Sequence, residues 1–378
     1  MFKKEIIKMD KKINCINSIV CENPDSPFNY FGWPSVTRLP DGTLAAAASG
    51  FRLSHVCPFG KSVICYSSDS GSTWTRPAPV IDTPLDDRDA GITVTADGRV
   101  IFTSFNKTRS MQYDWNKRNF GTPKFNLISA YLNMLNFDEA EKKYLGSTYR
   151  ISHDGGYTFS EIKRCKVTAP HGVCALPGGK VLYIGRVFSG YTENMEKDRI
   201  ECHVLNENDE FEFLSAIEPV YIEGRKMMSA EPHTLALSDT HIIVHIRVQN
   251  YYTDKVQLFT IYQSESLDGG KSWTQPKPLG VDGSPPHLLC HSSGVLISAY
   301  GRRTPPFGQR VMFSTDNGKT WDMDYILRDD GPSSDLGYPC SVELHDGRIL
   351  TVYYQQKPGE SNCVIMQSIW ELPKHFVK

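Results

Sequence analysis

The sequence predicts an all-β fold, a six-bladed β-propeller, because one short motif occurs four times and one β-hairpin pattern occurs six times. The two repeats are interleaved along the 378 residues. Repeats with a period of roughly 20 to 50 residues are typical of solenoids and propellers. All-β folds often reach this length as one domain, so we expect residues 1–378 to form a single propeller domain.

The short motif has the pattern Ser-x-Asp-x-Gly-x-Thr/Ser-Trp/Phe, and its copies are residues 67–74, 152–159, 266–273 and 314–321. The Asp is expected to accept hydrogen bonds from nearby backbone N–H groups. The Gly supplies a backbone angle that other residues avoid. The aromatic residue is expected to pack against the neighbouring sheet. Each copy therefore predicts a short turn between the two outer strands of a blade.

The longer repeat is an apolar strand, a tight turn such as Asp-Gly, and a second apolar strand, which together indicate a β-hairpin. Its six copies begin at Trp33, Arg88, Ala169, Glu231, Pro285 and Tyr338. These hairpins are predicted to be the two inner strands of six blades. The third blade lacks the short motif, and residues 200–214 are predicted to form its outer hairpin, with a turn at residues 206–209.

The sixth and second blades depart from the common pattern. Only one further strand, around residues 363–370, follows the last hairpin, so residues 13–21 are predicted to supply the outermost strand and to close the ring. Closure would remove the exposed edges that an open sheet leaves. Residues 106–147 are predicted to be an insertion in the second blade, made of loop and an extra strand, which forms a lid or an oligomer contact.

Composition excludes several classes of function. The formal net charge of -2 gives no reason to expect nucleic acid or an anionic membrane as a partner. The N-terminus is a poor secretion signal and no stretch approaches a membrane span, so a cytoplasmic location is expected. The ten cysteines include no Cys-x-x-Cys pair, which argues against a zinc site and a disulfide framework. No metal motif is visible, and the predicted chemistry needs no cofactor.

Six hairpins around one axis would bring the starts of the first strands and the ends of the second strands to one mouth. The residues at strand starts are Gly32, Trp33, Asp86, Asp87, Arg88, Asp89, His171, Glu231, His233, His287 and Tyr338. Those at strand ends are Arg52, Lys107, Arg186, Arg247, Arg302, Arg303 and Gln355. Cations facing acids, histidines and a tyrosine suit an anionic sugar. The alternative is that these charges only pair with each other, since buried charges need partners.

The short motif is the Asp-box, and its recurrence resembles the sialidase superfamily of six-bladed β-propellers. The family's fourth blade carries a Glu at a strand start and an Arg at the end of the next strand, matched by Glu231 and Arg247. Its last blade carries a nucleophilic Tyr in a Gly-Tyr-Ser-like strand start, matched by Tyr338. The resemblance implies a third arginine in the fifth blade, for which Arg303 and Arg310 are favoured over Arg302.

Two elements of the family pattern are missing. The family's first blade begins Phe-Arg-Ile-Pro, whereas Gly32 replaces that Arg here, and Tyr354 stands where the Glu that orients it is expected. Arg52 or Arg88 is a candidate replacement for the lost Arg, and Trp33 is a candidate for stacking on a sugar ring. The acid/base Asp is also absent from the loop after the first hairpin. His55 is the expected substitute, with Asp87 and Asp89 as rivals.

The resemblance and the polar mouth together predict a glycoside hydrolase that cleaves a terminal acidic sugar from a glycan. Tyr338 is the expected nucleophile and Glu231 its base. The expected substrate-binding residues are Arg247, Arg303, Arg310, Arg52, Arg88, Trp33, His171, His233 and His287. Three alternatives stay open: a hydrolase or lyase for a uronic acid-containing glycan, in which one of the three histidines joins Tyr338, a carbohydrate-binding propeller without catalysis, and a protein-binding scaffold.

Overall fold

The computed structural model describes residues 11–188, 199–251, 254 and 257–376. Its strands form six antiparallel sheets that follow one another along the chain, plus one short hairpin. The six-bladed β-propeller predicted from the sequence is therefore confirmed. Within the described ranges, no helix has the length and the apolar character needed to cross a membrane.

The first three blades follow an N-terminal strand, β1 (Cys15–Cys21). The first blade contains β2 (Tyr30–Arg38), β3 (Leu44–Arg52), β4 (Lys61–Ser67) and β5 (Ala78–Ile81). The second contains β6 (Arg88–Val94), β7 (Val100–Phe105), β8 (Ser147–Ser152) and β9 (Lys163–Cys165). The third contains β10 (Val167–Thr168), β11 (Cys174–Ala175), β12 (Val181–Val187), β13 (Ile200–Leu205) and β14 (Phe211–Ile217).

The other three blades follow a short hairpin of β15 (Tyr221–Ile222) and β16 (Arg225–Lys226). The fourth blade contains β17 (Met228–Ala236), β18 (Ile242–Gln249), β19 (Phe259–Ser266) and β20 (Lys277–Pro278). The fifth contains β21 (Pro286–Cys290), β22 (Leu296–Arg302), β23 (Gly308–Ser314) and β24 (Asp322–Arg328). The sixth contains β25 (Gly337–Glu343), β26 (Ile349–Gln356), β27 (Cys363–Trp370) and β1.

The ring is closed by strands from both ends of the chain. Strand β1 pairs antiparallel with β27, with Cys15 opposite Trp370 and Ile19 opposite Met366. Closure by residues 13–21 was expected from the sequence, and the pairing confirms it. The apolar core is divided among the six interfaces between neighbouring blades, so each sheet is stabilised by the two beside it.

Each Asp-box is a turn held by its own carboxylate. Asp268 accepts hydrogen bonds from the backbone N–H groups of Lys271 (3.0 Å) and Ser272 (2.9 Å) and from the Ser272 hydroxyl (2.6 Å). Ser266 Oγ donates to Asp268 and accepts from the Gly270 N–H, both at 2.8 Å. These bonds, chiefly the one from the Ser272 hydroxyl, lower the pKa of Asp268 to about 2. Similar turns surround Asp69, Asp154 and Asp316.

The tryptophans of the Asp-boxes connect neighbouring blades. Trp273 Nε1 donates to Ser215 Oγ in the third blade, and Trp321 Nε1 donates to Gln263 Oε1 in the fourth blade, both at 2.9 Å. Trp74 makes the corresponding bond to the sixth blade at 3.0 Å. A turn that stabilises itself locally thus also fixes the angle between two sheets. The third blade, which lacks an Asp-box, turns between β13 and β14 at residues 206–210, as expected.

The insertion in the second blade is helical, which corrects the expectation of loop and an extra strand. It contains α1 (Arg109–Asn116), α2 (Pro123–Met134) and α3 (Phe137–Tyr144). Each helix begins after a residue whose side chain accepts a backbone N–H: Thr108, Thr122 and Asn136. Such residues are common immediately before a helix, and Pro123 in the first turn of α2 is a further signal for a helix start. These capping residues were the available signal in the sequence.

The insertion is anchored at the ends of the first two blades. Ile128, Leu132 and Phe137 pack with Leu85, which precedes β6. Gln112 Nε2 also donates a hydrogen bond of 2.8 Å to a buried carboxylate of the same loop. Several large apolar side chains of the insertion stay exposed: Trp115, Phe120, Leu127, Met134 and Leu135. The roles of lid and oligomer contact stay predictions.

Removal of residues 1–21 is expected to destabilise the protein, because it leaves β27 as an open sheet edge. Thermal unfolding should shift to lower temperature, and size-exclusion chromatography should reveal association. Ile16→Ala is the control, since this β1 side chain is 66% exposed and the main-chain pairing remains. A truncated protein as stable and as monodisperse as the full chain would contradict the role of β1.

Candidate active site

Four large side chains at the centre of the propeller share an uncommon backbone conformation. Trp33, Asp89, Glu231 and Tyr338 have φ angles of 54°, 49°, 48° and 50°. Each lies where the innermost strand of its blade shifts register against the second strand, as in a β-bulge. Left-handed backbone at such residues costs on the order of 1–3 kcal/mol and is concentrated at functional sites. The same local bend thus presents one side chain from each of four blades.

Glu231, Arg247 and Tyr338 meet as the sequence predicted. Tyr338 Oη donates a hydrogen bond of 2.6 Å to Glu231 Oε1. Arg247 Nη1 donates to Glu231 Oε2 at 2.5 Å and reaches Tyr338 Oη at 3.4 Å. A phenol, a carboxylate and a guanidinium from two blades therefore form one hydrogen-bonded group.

The protonation states in this group follow from its surroundings. Burial raises the pKa of Tyr338 well above its usual value, and the negative charge of Glu231 raises it further. Burial would also raise the pKa of Glu231, but the Arg247 guanidinium and the Tyr338 hydroxyl outweigh that effect and hold it below the usual value. At neutral pH the group is a neutral phenol that donates to a carboxylate.

Arg303 supplies a second cation beside Tyr338. Its guanidinium carbon lies 5.7 Å from the centroid of the Tyr338 ring. It donates to the backbone carbonyls of Ser284 and Ser334, both at 3.4 Å, and no carboxylate of the described residues pairs with it. Two guanidiniums, those of Arg247 and Arg303, thus flank the phenol.

Arg310 does not belong to this group, which corrects the expectation that it binds substrate. Its guanidinium donates to the backbone carbonyls of Gln309 (3.1 Å), Arg328 (2.5 Å) and Pro306 (3.3 Å). The side chain is buried and stabilises the fifth blade itself. The family pattern alone could not separate Arg303 from Arg310, because both lie between the inner hairpin of the fifth blade and its Asp-box.

Arg52 and Arg88, the candidate replacements for the missing arginine of the first blade, are both engaged with other groups of the protein. Arg52 pairs with Asp86 at 2.6 Å, and both side chains are fully buried. A Cβ at Gly60 would come within 2.0 Å of this Arg52 guanidinium, so the pair requires glycine there. Arg88 is buried too, with its guanidinium carbon 4.1 Å from the centroid of the Trp33 ring. Both arginines therefore lie against Trp33. Arg52, fully buried and paired with Asp86, is not available to substrate, whereas a substrate contact of Arg88 stays a prediction.

The space of the missing arginine is filled by aromatic rings. A Cβ at Gly32 would lie 3.5 Å from Tyr30 Cε1 and 3.6 Å from Tyr354 Cδ2. Trp33 is only 2% exposed, with its ring centroid 5.8 Å from that of Tyr354 and 6.5 Å from that of Tyr338. The expectation that Trp33 stacks on a sugar is thereby corrected. Gly32 and Tyr354 stand where the family pattern has an Arg and a Glu, and the aromatic rings pack closely in this space.

His55 forms a pair with a carboxylate that the sequence analysis missed. His55 Nδ1 lies 2.9 Å from Asp335 Oδ1. Tyr30 Oη donates to both Asp335 oxygens and Tyr354 Oη donates to one. Because a carboxylate only accepts, Nδ1 carries a proton and Nε2 is left for other partners. The available signal was a carboxylate three residues before Tyr338.

The two candidate proton donors differ in access. The His55 side chain is 43% exposed, whereas Asp89 as a whole is 4% exposed. The surrounding protein still removes part of the water around the His55 ring, and this desolvation lowers its pKa below the usual value, against the opposing effect of Asp335. Burial raises the pKa of Asp89 to about 7; Arg88 opposes this and Glu231 adds to it. Asp89 Oδ1 has no hydrogen-bond partner among the described residues.

Asp87 is a structural residue, which corrects its place among the candidate acids. It is fully buried and accepts hydrogen bonds from Thr83 N (2.6 Å) and Thr83 Oγ1 (2.9 Å). These bonds close the loop that precedes β6. Asp86, Asp87, Arg88 and Asp89 are consecutive, yet each has a different environment.

His171, His233 and His287 form a cluster of rings, in which His233 lies two residues after Glu231 on the same strand. The rings of His233 and His287 stack at 4.0 Å, and His171 lies 5.6 and 5.2 Å from them. Nδ1 of His233 accepts from Leu288 N and Nδ1 of His287 accepts from Ser341 N. Burial lowers the pKa of all three, that of His171 to about 3. They are neutral, weak bases packed beneath Tyr338.

A six-bladed propeller with four Asp-boxes has the fold of the sialidase-like propellers. Residues 130–352, more than half of the chain, match the family described as BNR repeat-like domain, and the chain belongs to this family. No curated protein matches the sequence significantly.

Solved structures share the fold. A protein of unknown function from Dyadobacter fermentans is 21% identical, with a TM-score of 0.70 over 96% of this chain and 99% of that one. A mutant NanB sialidase from Streptococcus pneumoniae is 11% identical, with a TM-score of 0.62 over 95% and 71%. An α-L-arabinanase from Penicillium chrysogenum complexed with arabinobiose is 13% identical, with a TM-score of 0.60 over 95% and 98%. The resemblance to sialidases is confirmed at the level of the fold.

Asp89→Asn is expected to raise the melting temperature at pH 8 and to leave it nearly unchanged at pH 4. The carboxyl pKa is about 7 in the folded protein and roughly 3.9 in an unfolded chain. Between these values the unfolded chain releases the proton and the folded protein keeps it, so stability falls as pH rises toward 7. Asn cannot ionise, so the stability of the variant should not fall with pH at this site.

Asp69→Asn is the control with the opposite sign. Its hydrogen bonds, chiefly from the Thr73 N–H, lower the pKa of Asp69 to about 2, so its carboxylate stabilises the fold at pH 8 and the variant should be less stable there. Thermal unfolding at pH 4, 6 and 8 measures both. A pH-independent effect of Asp89→Asn would contradict a buried carboxyl that titrates near 7.

Proposed function

We propose that the protein is a glycoside hydrolase that removes a terminal acidic sugar of the sialic acid type from a glycoconjugate. Tyr338 is the nucleophile and Glu231 its base. The observation that carries this proposal is the 2.6 Å hydrogen bond from the phenol to a carboxylate that is ionised at neutral pH. Its location at the centre of a sialidase-like propeller supports it further.

The pairing makes the phenol reactive without creating a new charge. A free phenol has a pKa of about 10, so ionising it at pH 7 costs roughly 4 kcal/mol. When Tyr338 attacks the anomeric carbon, Glu231 takes its proton and the bond to the leaving oxygen breaks. Arg247 contacts Glu231 Oε2 and Tyr338 Oη, so its guanidinium stays close to the negative charge before and during the attack. Water then hydrolyses the sugar from the tyrosine, so the anomeric configuration is retained.

The substrate carboxylate is bound by Arg247 and Arg303. These guanidiniums flank the phenol, so an acidic group next to the anomeric carbon can contact both. A charge-assisted hydrogen bond contributes about 1.5–3 kcal/mol. The substitution of Gly32 for the family's first Arg therefore weakens carboxylate binding by roughly one to two orders of magnitude.

His55 is the proton donor to the leaving oxygen. A general acid must come within hydrogen-bond reach of the oxygen that it protonates. The partly exposed His55 is open to a leaving group on the solvent side of the site, whereas Asp89 is as buried as Tyr338 itself. Asp335 holds the proton on Nδ1 and thereby leaves Nε2 to exchange one with substrate. Asp335 is thus a positioning residue.

The lyase alternative is less well supported. It needs a base that removes a carbon-bound proton, and His171, with a pKa of about 3, is a weak base at neutral pH. His233 and His287 already use Nδ1 to accept backbone N–H groups. Hydrolysis of a different acidic sugar, such as a uronic acid, uses the same nucleophile and the same arginines.

Tyr338→Phe is expected to lower kcat/KM for an aryl sialoside by roughly 10³-fold or more, because it removes the nucleophile. Glu231→Gln should cost about 10²- to 10⁴-fold through loss of the base. Tyr353→Phe is the matched control: this buried tyrosine of β26 bonds Ser368 outside the central group and should leave activity intact. Fluorescence release from the aryl sialoside and melting temperatures measure the effects. Full activity in Tyr338→Phe would refute the mechanism.

His55→Ala is expected to slow a sialoside with an alkyl leaving group by roughly 10²- to 10⁴-fold, and one with an acidic phenol much less, because only the first needs protonation. In the wild type, activity should fall as pH rises through the lowered pKa of His55, below about 6.5. The variant should lack this decline, and Asp335→Asn should show a weaker form of the same defect. Equal loss on both substrates would exclude His55 as the proton donor.

A further inference from the structure

A cavity of ≈ 270 Å³ lies between the loop after β3 and the helical insertion. His55 lines it on the propeller side, and residues of α1 and α2 line it on the other. Its volume is just below the roughly 300–1,000 Å³ of sites for drug-sized ligands, which suits a single sugar residue. The insertion therefore creates a second binding space next to the proposed catalytic histidine.

The cavity is cationic. Arg118 and Lys124 line it, and no Asp or Glu is among the described residues that do. Neither cation forms an ion pair with a carboxylate of the described residues. The Arg118 guanidinium carbon lies 4.0 Å from the centroid of Trp115, so the cation is held over an aromatic face of the same wall. This wall combines two unneutralised charges with a ring, which suits an anionic sugar.

The wall is held in place by buried polar contacts. Gln112 donates to Asp86, which in turn pairs with the buried Arg52. Asn116 Nδ2 donates to Phe125 O and to Ser129 Oγ, both at 3.1 Å, and so joins α1 to α2. Because Gln112 and Asn116 are both buried, the backbone segments that carry Arg118 and Lys124 are held against the propeller and against each other. A wall whose backbone is already ordered loses less entropy on binding than a mobile one.

His55 lies between the cavity and the aromatic residues beside Tyr338. Its ring contacts Trp33 edge-on, with centroids 4.9 Å apart, and the Trp33 centroid lies 6.5 Å from that of Tyr338. His55 also lines the cavity. A leaving sugar whose oxygen is protonated by His55 would therefore be next to a residue of the cavity wall that also contains Arg118 and Lys124.

We propose that this cavity is the subsite for the leaving sugar and that it selects a leaving sugar with an anionic group, a carboxylate or a sulfate. The role of the cavity as a leaving-sugar subsite depends on the proposed hydrolase function. The preference for an anionic ligand follows from the charge and position of the cavity's own residues. It makes the insertion a determinant of substrate preference among acidic glycans.

Steady-state kinetics with three substrates tests the preference: sialyl-lactose, sialyl-lactose sulfated on its galactose, and a sialic acid dimer. The wild type should have a KM about tenfold lower for the two substrates with an anionic leaving sugar. Lys124→Ala and Arg118→Ala should raise KM for these two toward that of sialyl-lactose, with little change in kcat. Lys117→Ala is the matched control, since this neighbouring lysine pairs with Asp114 outside the cavity. Equal KM values in the wild type would overturn the proposal.

A binding measurement separates this proposal from the hydrolase function. Sulfated lactose, a leaving group alone, is titrated calorimetrically into Tyr338→Phe and into Tyr338→Phe with Lys124→Ala. Binding that weakens about tenfold with the second substitution supports the cationic subsite, even if no sialoside is cleaved. Binding that is absent, or equal in both proteins, overturns it, even if the hydrolase function is established.

Discussion

The pairing of β1 with β27 is the constraint on which the rest of the molecule depends. It joins a strand from the start of the chain to strands from its end, and so fixes six sheets around one axis. Only in a closed ring do residues far apart in the chain meet. Glu231 and Tyr338 are 107 positions apart and belong to the fourth and sixth blades, yet their side chains share a hydrogen bond.

A repeated backbone distortion converts this scaffold into a site. Four blades bend at the start of the innermost strand, and each bend presents one side chain: an indole, two carboxyls and a phenol. The strain at these bends is offset by dense packing, because a ring held over Arg88 and against Tyr354 cannot relax alone. The neighbouring cluster of neutral histidines fills the centre of the propeller without adding charge. The same backbone bend thus occurs in four blades, but the side chain that it presents differs from blade to blade.

Charge is distributed unevenly between framework and site. The framework neutralises its ions internally, as in the buried pair of Arg52 and Asp86, which Gln112 links to the helical insertion. Around the phenol, by contrast, Arg303 stays without a carboxylate partner among the described residues. The cavity beside the insertion likewise contains cations without carboxylate partners among the described residues. Both regions therefore favour anions, and this excess of positive charge is the physical basis for the proposal of an acidic glycan as ligand.

The chain pattern alone was sufficient for the blades and the Asp-box turns, because turn chemistry and strand periodicity act over a few residues. The closing strand and the meeting of Glu231 with Tyr338 followed from the number of repeats, because six hairpins around one axis bring their strand starts together. The chain pattern failed where the result depends on distant partners. It did not separate Arg303 from Arg310, did not connect His55 to Asp335, and missed the helices of residues 106–147. Which side chains become neutralised, buried or exposed is set by packing between blades, and no local pattern records that packing.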